Sequence, residues 1–346
     1  MNLRLLGFLI ITGLCLSAFS CKNSTEPEAK KPQAPDSTSQ DFTFEVKRFG
    51  RPGPTSLLND VWIFNENDIW ATGTLSLKDT TAETGSQIYN IMHWNGKEWK
   101  GINKEYVELE GIWGFPGKTF IASGGVWILE DDSLKRQTID KPLNGQLIHY
   151  LWASAEDNVW GVGPWGGIIH FDGKTWTKVD FDRQWYFYSI TGSKTTGVAY
   201  ALALNSQYQT IIVKLQNSIA EVIYRSASQN TEFNGWTLTL ANEKELYIGN
   251  NPIWKFNIET KAMKVLFYPS EYTSIGASFA VSPIDIYFYG INYTSDVLIH
   301  YNGKRFKEFA LPVHSDNPKG IKATSAIAAA VSLAENQAQI ITIKRR

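Results

Sequence analysis

Apolar and polar residues alternate in short runs along nearly the whole chain, and the runs end at polar, glycine-bearing turns. IMHWNGKEW (91–99), IIHFDGKTW (168–176) and LIHYNGKRF (298–306) are three copies of one pattern: a strand, an Asn-Gly or Asp-Gly turn, a second strand. A two-residue hairpin turn needs positive φ at both central positions, and Asn-Gly and Asp-Gly meet that need, so the spacing predicts two-residue turns here. A second pair of runs precedes each copy: NDVWIFNENDIWATG (59–73), YLWASAEDNVWGVG (150–163) and GASFAVSPIDIYFYG (276–290). In each of these, an aromatic residue comes about eight positions before another, across a polar turn. One unit therefore holds four strands. No window outside the N-terminus shows a helical period. The content of 13 Trp, 15 Tyr and 18 Phe favours pleated, half-buried surfaces.

The aromatic of the second strand marks the period: Trp70, Phe120, Trp160, Tyr200, Tyr247, Tyr287 and, weakly, a position near Val331. Steps of 50, 40, 40, 47, 40 and 44 residues with four short strands each are the signature of a β-propeller. The last unit, 320–346, has room for three strands only. FTFEVKRF, just after the N-terminal polar stretch, resembles the outermost strands EWKGIN, TWTKVD and RFKEFA and lacks a unit of its own. Joining the two ends completes a blade and leaves no frayed edge. The expected fold is all-β, a seven-bladed β-propeller of four-stranded antiparallel blades closed by the N-terminal strand. The weak fourth and seventh units leave six or eight blades open.

The repeats resemble a family of bacterial exported propellers whose units read roughly DVWAVG…GTILHYDGTSW. The matching residues are DIWATG (68–73), NVWGVG (158–163) with GIIHFDG (167–173), and DIYFYG (285–290). The resemblance extends over most of 59–310. It implies the fold and little about activity, because these repeats are structural.

The first residues have another character. MNLRLLGFLIITGLCLSAFSC carries Arg4, an apolar run over 5–16 and then small residues, which is a secretory signal too short for a membrane span of about 20 residues. LSAFSC resembles the lipobox of bacterial lipoproteins, which implies removal of 1–20 and lipidation of Cys21. Ordinary cleavage nearby, with Cys21 unmodified, is the alternative. Only two cysteines exist, and Cys15 lies in the removed part, so no internal disulfide remains to Cys21. Lys22 in place of Asp implies, by the same resemblance, sorting to the outer membrane. Residues 21–41 hold three prolines and no large apolar residue, as a flexible tether would, and the propeller domain is expected over 42–346. With 33 basic and 34 acidic residues, the chain has no field to attract nucleic acid.

His93, His170 and His300 occupy one position of the repeat in separate blades. A recurring letter is structural, so each ring is expected to pack between blades with a hydrogen-bonded backbone or hydroxyl partner. No metal or other cofactor is expected. Trp62, Trp113 and Trp152 of the first strands read as core or channel lining. The short turns fall on one face. The long loops between second and third strands, with the links between blades, fall on the other, and variable loops on a rigid scaffold are where binding resides. Aromatics outside the repeat gather there: Trp165, Trp185, Tyr186, Tyr208, Phe233 and Tyr293, with Arg183 nearby. Aromatic and Arg side chains suit a glycan or an envelope protein. The reading is a non-catalytic binding or scaffold propeller, anchored to the membrane by its N-terminal lipid and engaging its ligand through this face. The alternatives are a glycan-active enzyme, with Arg51, Arg183 and Arg225 as a sialidase-like set, and a subunit of an envelope sensory or assembly complex.

Overall fold

Alternating runs of this kind cannot bury an apolar face as isolated strands, and they pair with their sequence neighbours into seven four-stranded antiparallel sheets. The computed structural model describes residues 36–50, 56–78, 86–104, 108–131, 133–227 and 235–346. The signal, Cys21, most of the tether, Arg51 and Phe233 lie outside the described residues. Blades 1 to 6 span 57–102, 112–136, 150–178, 186–225, 237–267 and 274–310, each with its strands in sequence order. Blade 7 joins Asn317–Ala323, Ile327–Ala334 and Gln337–Arg345 to Phe42–Phe49. That closing strand pairs along its whole length, from Phe42 opposite Arg345 to Phe49 opposite Ala338. The N-terminal strand thus closes the propeller, as expected.

Apolar packing continues across the seam on both sides. Leu58, Val61 and Ile69 of blade 1 meet Val331 and Ile340 of blade 7, and Tyr287 and Leu298 of blade 6 meet Ile321 and Ile341. Burying each such side chain stabilises the fold by about 1.5–3 kcal/mol.

Three expectations need correction. The Asn-Gly and Asp-Gly turns are four-residue loops, since the third strand of blade 1 ends at Trp94 and the fourth begins at Trp99. Only the glycines, Gly96, Gly173 and Gly303, have positive φ. The preceding side chain does the other half of the work: Asp172 Oδ1 accepts the amides of Lys174 (2.9 Å) and Thr175 (2.8 Å), and Asn95 and Asn302 do the same in their blades. Second, the tether stops short of 41. Thr38 donates its amide to Asn302 O (3.1 Å), Gln40 Nε2 donates to His300 O (2.8 Å) and Asp36 pairs with Lys304 (2.8 Å), so 36–41 docks on blade 6. Third, the repeat aromatic of blade 7 corresponds to Ala329, which sits between Lys322 and Thr342, two residues before Val331. A blade without its marker ring is faint in sequence.

Candidate functional site

The recurring histidines stay in the blades. His93 Nε2 lies 2.9 Å from Asp68 Oδ1, His170 Nε2 2.8 Å from Asn158 Oδ1, and His300 Nε2 2.7 Å from Asp285 Oδ1. Each ring rests on the marker aromatic, with centroids 3.9 Å apart for Trp70, 4.0 Å for Trp160 and 4.7 Å for Tyr287. The main partner is thus an acidic or amide side chain at the start of the second strand. His170 Nδ1 adds a hydroxyl, Ser218 Oγ of blade 4, at 2.8 Å. Blade 5 fills the same slot with another polar pair: Lys255, opposite Tyr247, donates to Glu245 at 2.6 Å. The slot holds strands together and has no single chemistry. Among the described residues, no group of three or more His, Cys, Asp or Glu is placed to hold a metal ion.

The innermost strands surround a central cavity of about 990 Å³. Trp62, Trp113 and Trp152 form part of its wall as a ladder over three blades, with centroids 4.5 and 6.3 Å apart. Lys322 crosses from blade 7 to Asp60 of blade 1 at 3.0 and 3.2 Å, and Asp60 Oδ2 accepts the Ile112 amide of blade 2 at 3.2 Å. One carboxylate therefore joins three blades.

At the end where the links enter the inner strands, four blades carry a β-bulge at the same place. The pairing skips Asn59, Tyr188, Gly276 and Lys319. An unpaired extra residue is re-aimed by its bulge, and all four line the mouth of the cavity. Blades 3 and 5 add Tyr150 and Trp236, which remain 36% and 38% exposed. Tyr188 and Trp236 meet edge to face, centroids 5.1 Å apart at 84°. Glu110 of the link into blade 2 and His149 complete the rim.

Burial and neighbouring charge set the protonation of this rim. Burial, helped by the negative charge of Glu108 and opposed by Lys319, pushes the Glu110 carboxyl up to about 7. Burial pushes His149 down, against the pull of Glu108 and with the push of Lys319. Burial among the channel walls, then Glu110, raises the Tyr150 phenol well above its ordinary value, although part of its ring surface faces the open channel. Near pH 7 the mouth therefore presents neutral rings and a carboxyl poised to ionise, with the Lys319 side chain facing it from blade 7.

The residues singled out in sequence divide into three groups. Trp165, 37% exposed, meets Tyr186 edge to face at 5.8 Å, and exposed Arg183 donates to Asn144 O at 2.9 Å beside them. Tyr208, 62% exposed, flanks Tyr188. These four gather next to the mouth without lining the cavity. Tyr293, also exposed, pairs with Tyr272 over blade 6, centroids 4.5 Å apart, and is separate from them. Trp185 does not belong on the surface. It is 1% exposed, its carbonyl accepts the Gly166 amide at 2.7 Å, and Arg225 covers its ring at 5.0 Å. That contact, and the exposed position of Arg183, also take both arginines away from any shared point in the cavity. Sequence reasoning passed over Tyr150, Tyr188, Trp236 and Glu110. The available signal was that each stands within two residues of the start of an inner strand, where the chain enters the channel wall.

The fold and rim together define a closed seven-bladed propeller with an aromatic-edged channel. No protein-family model matches the chain, and no curated protein does. Solved structures of the same fold include YCF48 bound to D1 peptide, 11% identical with a TM-score of 0.65, covering 90% of this chain and 100% of that one. A catalytically inactive virginiamycin B lyase from Staphylococcus aureus with quinupristin is 11% identical, TM-score 0.66, covering 88% of this chain and 100% of that one. The WD40 β-propeller domain of Doa1 is 10% identical, TM-score 0.64, over 88% of this chain and 97% of that one. At such identity the likeness is one of fold.

Proposed function

We propose that this chain is a non-catalytic binding propeller of the cell envelope, anchored through lipidated Cys21, which takes an extended segment of a partner protein on its loop-rich face. One observation carries this reading: Tyr150 and Trp236 stand partly exposed at the channel mouth with half-buried Tyr188 against Trp236, and exposed Trp165 and Tyr208 lie beside them. Exposed Tyr and Trp on a rigid frame offer large contact area at small cost in side-chain entropy. That a YCF48 propeller of the same architecture is bound to a D1 peptide, and that WD40 domains share the fold, supports a protein ligand over a glycan. The anchoring part rests on the LSAFSC sequence and the polar stretch after it.

The test is crosslinking and capture from intact envelopes with the full-length chain as bait, run beside a W236A, Y150A double variant. The expected result is a protein crosslinked to wild type and reduced at least tenfold with the variant. Equal capture by both would place the ligand elsewhere, and retention of oligosaccharides alone would replace the peptide by a glycan. Labelling with a radioactive fatty acid, lost in C21S, checks the anchor.

A further inference from the structure

We infer that the channel mouth is a receptor for a cationic side chain, Lys or Arg, of the bound segment, held between the Glu110 carboxylate and the rings of Tyr150, Tyr188 and Trp236. This rests on the binding reading above and names what that site selects.

The four residues come from consecutive blades, 2 to 5, each at the entry to an inner strand. Blades 2 and 3 are pressed together here: a Cβ on Gly111 would lie 2.5 Å from His149 O and 3.2 Å from Tyr150 Cα. Glu110 is therefore held beside Tyr150, and the two are electrostatically coupled, as are Tyr150 and Tyr188. The edge-to-face contact of Tyr188 with Trp236 sets two rings nearly perpendicular, 84° apart, which makes a corner of π surface open to the cavity.

The charges select a cation. Glu110 is partly buried, and its carboxylate accepts no hydrogen bond and joins no ion pair among the described residues. Its neighbour Glu108 is different, since it accepts Asn59 Nδ2 at 3.0 Å. A half-buried carboxylate without a partner is costly, and here the cost shows as a carboxyl pushed up to about 7. Lys319 faces it from blade 7 without forming an ion pair. An arriving ammonium or guanidinium restores the ionised carboxylate and meets electron-rich ring faces in a partly exposed corner, where cation–π attraction adds to the ion pair. An anion would meet Glu110 and Glu108 as well as Lys319, and would leave the Glu110 carboxyl without a counter-charge. A neutral side chain would leave Glu110 as it is.

The test uses the full-length chain and a positional-scanning library of acetylated, amidated hexapeptides, whose ends carry no charge. The expected result is enrichment of Lys or Arg at one position. A selected peptide should lose affinity about tenfold when that Lys is replaced by norleucine, and about tenfold against E110Q or W236L protein of unchanged circular dichroism. Selected peptides without a cation, or full binding to E110Q, would overturn this inference and leave the peptide-binding reading standing. Retention of no peptide at all would remove both.

Discussion

Arg345 grips Asp285 with both arms of its guanidinium, Nη2 to Oδ1 at 2.6 Å and Nη1 to Oδ2 at 3.2 Å, and ties the last residues of blade 7 to blade 6. The same Nη2 reaches the Tyr287 hydroxyl at 2.6 Å, and Phe42 of the closing strand packs against both Arg345 and His300. The Asp285 side chain is only 3% exposed. Removing the arginine leaves a buried carboxylate with His300 as its main partner, which costs about 3–5 kcal/mol. R345M should lower the denaturant midpoint strongly. D285N, R345M should recover part of that loss, because the stranded charge is gone. A double variant no better than R345M would mean that the packing of Arg345, and not the ion pair, closes the ring.

Acid should loosen the fold in two stages. Burial pushes His300, His170 and His149 below their ordinary value, although Asp285, Asp172 and Glu108 respectively pull the other way. The unfolded chain then binds more protons below about pH 6.5, so stability is full above that value and falls as pH drops toward the folded values. Burial opposes ionisation of Asp285, but hydrogen bonds from His300 and Arg345 outweigh it and hold this carboxyl low. Its contribution lasts to lower pH and is lost below about 3.9. Glu110 has the opposite sign. With a folded value of about 7, it favours the folded state most below about 4.5, and that advantage disappears as pH rises to 7. E110Q should therefore melt a few degrees above wild type at pH 8 and together with it at pH 4.5, as followed by circular dichroism. A gain of equal size at both pH values would refute the assignment.

The architecture was legible because blades 1, 3 and 6 repeat a marker aromatic, a histidine beside it and a glycine three residues on, as in Trp70, His93 and Gly73, and blades 2, 4 and 5 keep the aromatic at matching spacing. The channel mouth was not legible. A bulge adds one residue to a run that does not alternate strictly, so nothing in the letters around Tyr188 or Lys319 shows that these side chains are turned into the channel. Trp185 shows the complementary difficulty. An aromatic in a link reads equally as rim or core, and here the choice depends on Gly166 and on Arg225, 40 residues later. Phe42–Phe49 was identified by elimination, being the one strand without a blade.

The glycine of the repeat has a steric reason that can be tested. Gly290 lies opposite the bulged stretch of its inner strand, where an added Cβ would come 2.2 Å from Ser274 O and 3.0 Å from Ile275 Cα. Gly73 stands in the same relation to Leu57 O, at 2.0 Å. Backbone cannot yield as a side-chain tip can, so G290A should cost at least about 1–3 kcal/mol. Gly125 is the control. Its Cβ would meet only the end of Arg136 at 3.9 Å, and G125A should be neutral or stabilising by up to about 1 kcal/mol through the unfolded chain. Urea titration of the two variants separates these outcomes, and equal midpoints would remove the steric account.

Trp165 and Trp185 sit on adjoining loops and should behave in opposite ways. The Gly166 amide donates to Trp185 O, which keeps the two loops together, yet Trp165 faces solvent and Trp185 faces the core. Truncating the buried ring opens a cavity under Arg225 and should cost about 3–5 kcal/mol. W165A removes a half-exposed ring that touches Tyr186 and should change stability by no more than about 0.5 kcal/mol. If the loop-rich face holds the partner, W165A lowers capture from envelopes at unchanged melting temperature, while W185A lowers melting temperature first. A W165A protein that melts early, or that captures as much partner as wild type, would exclude this tryptophan from the binding surface and confine recognition to the channel mouth.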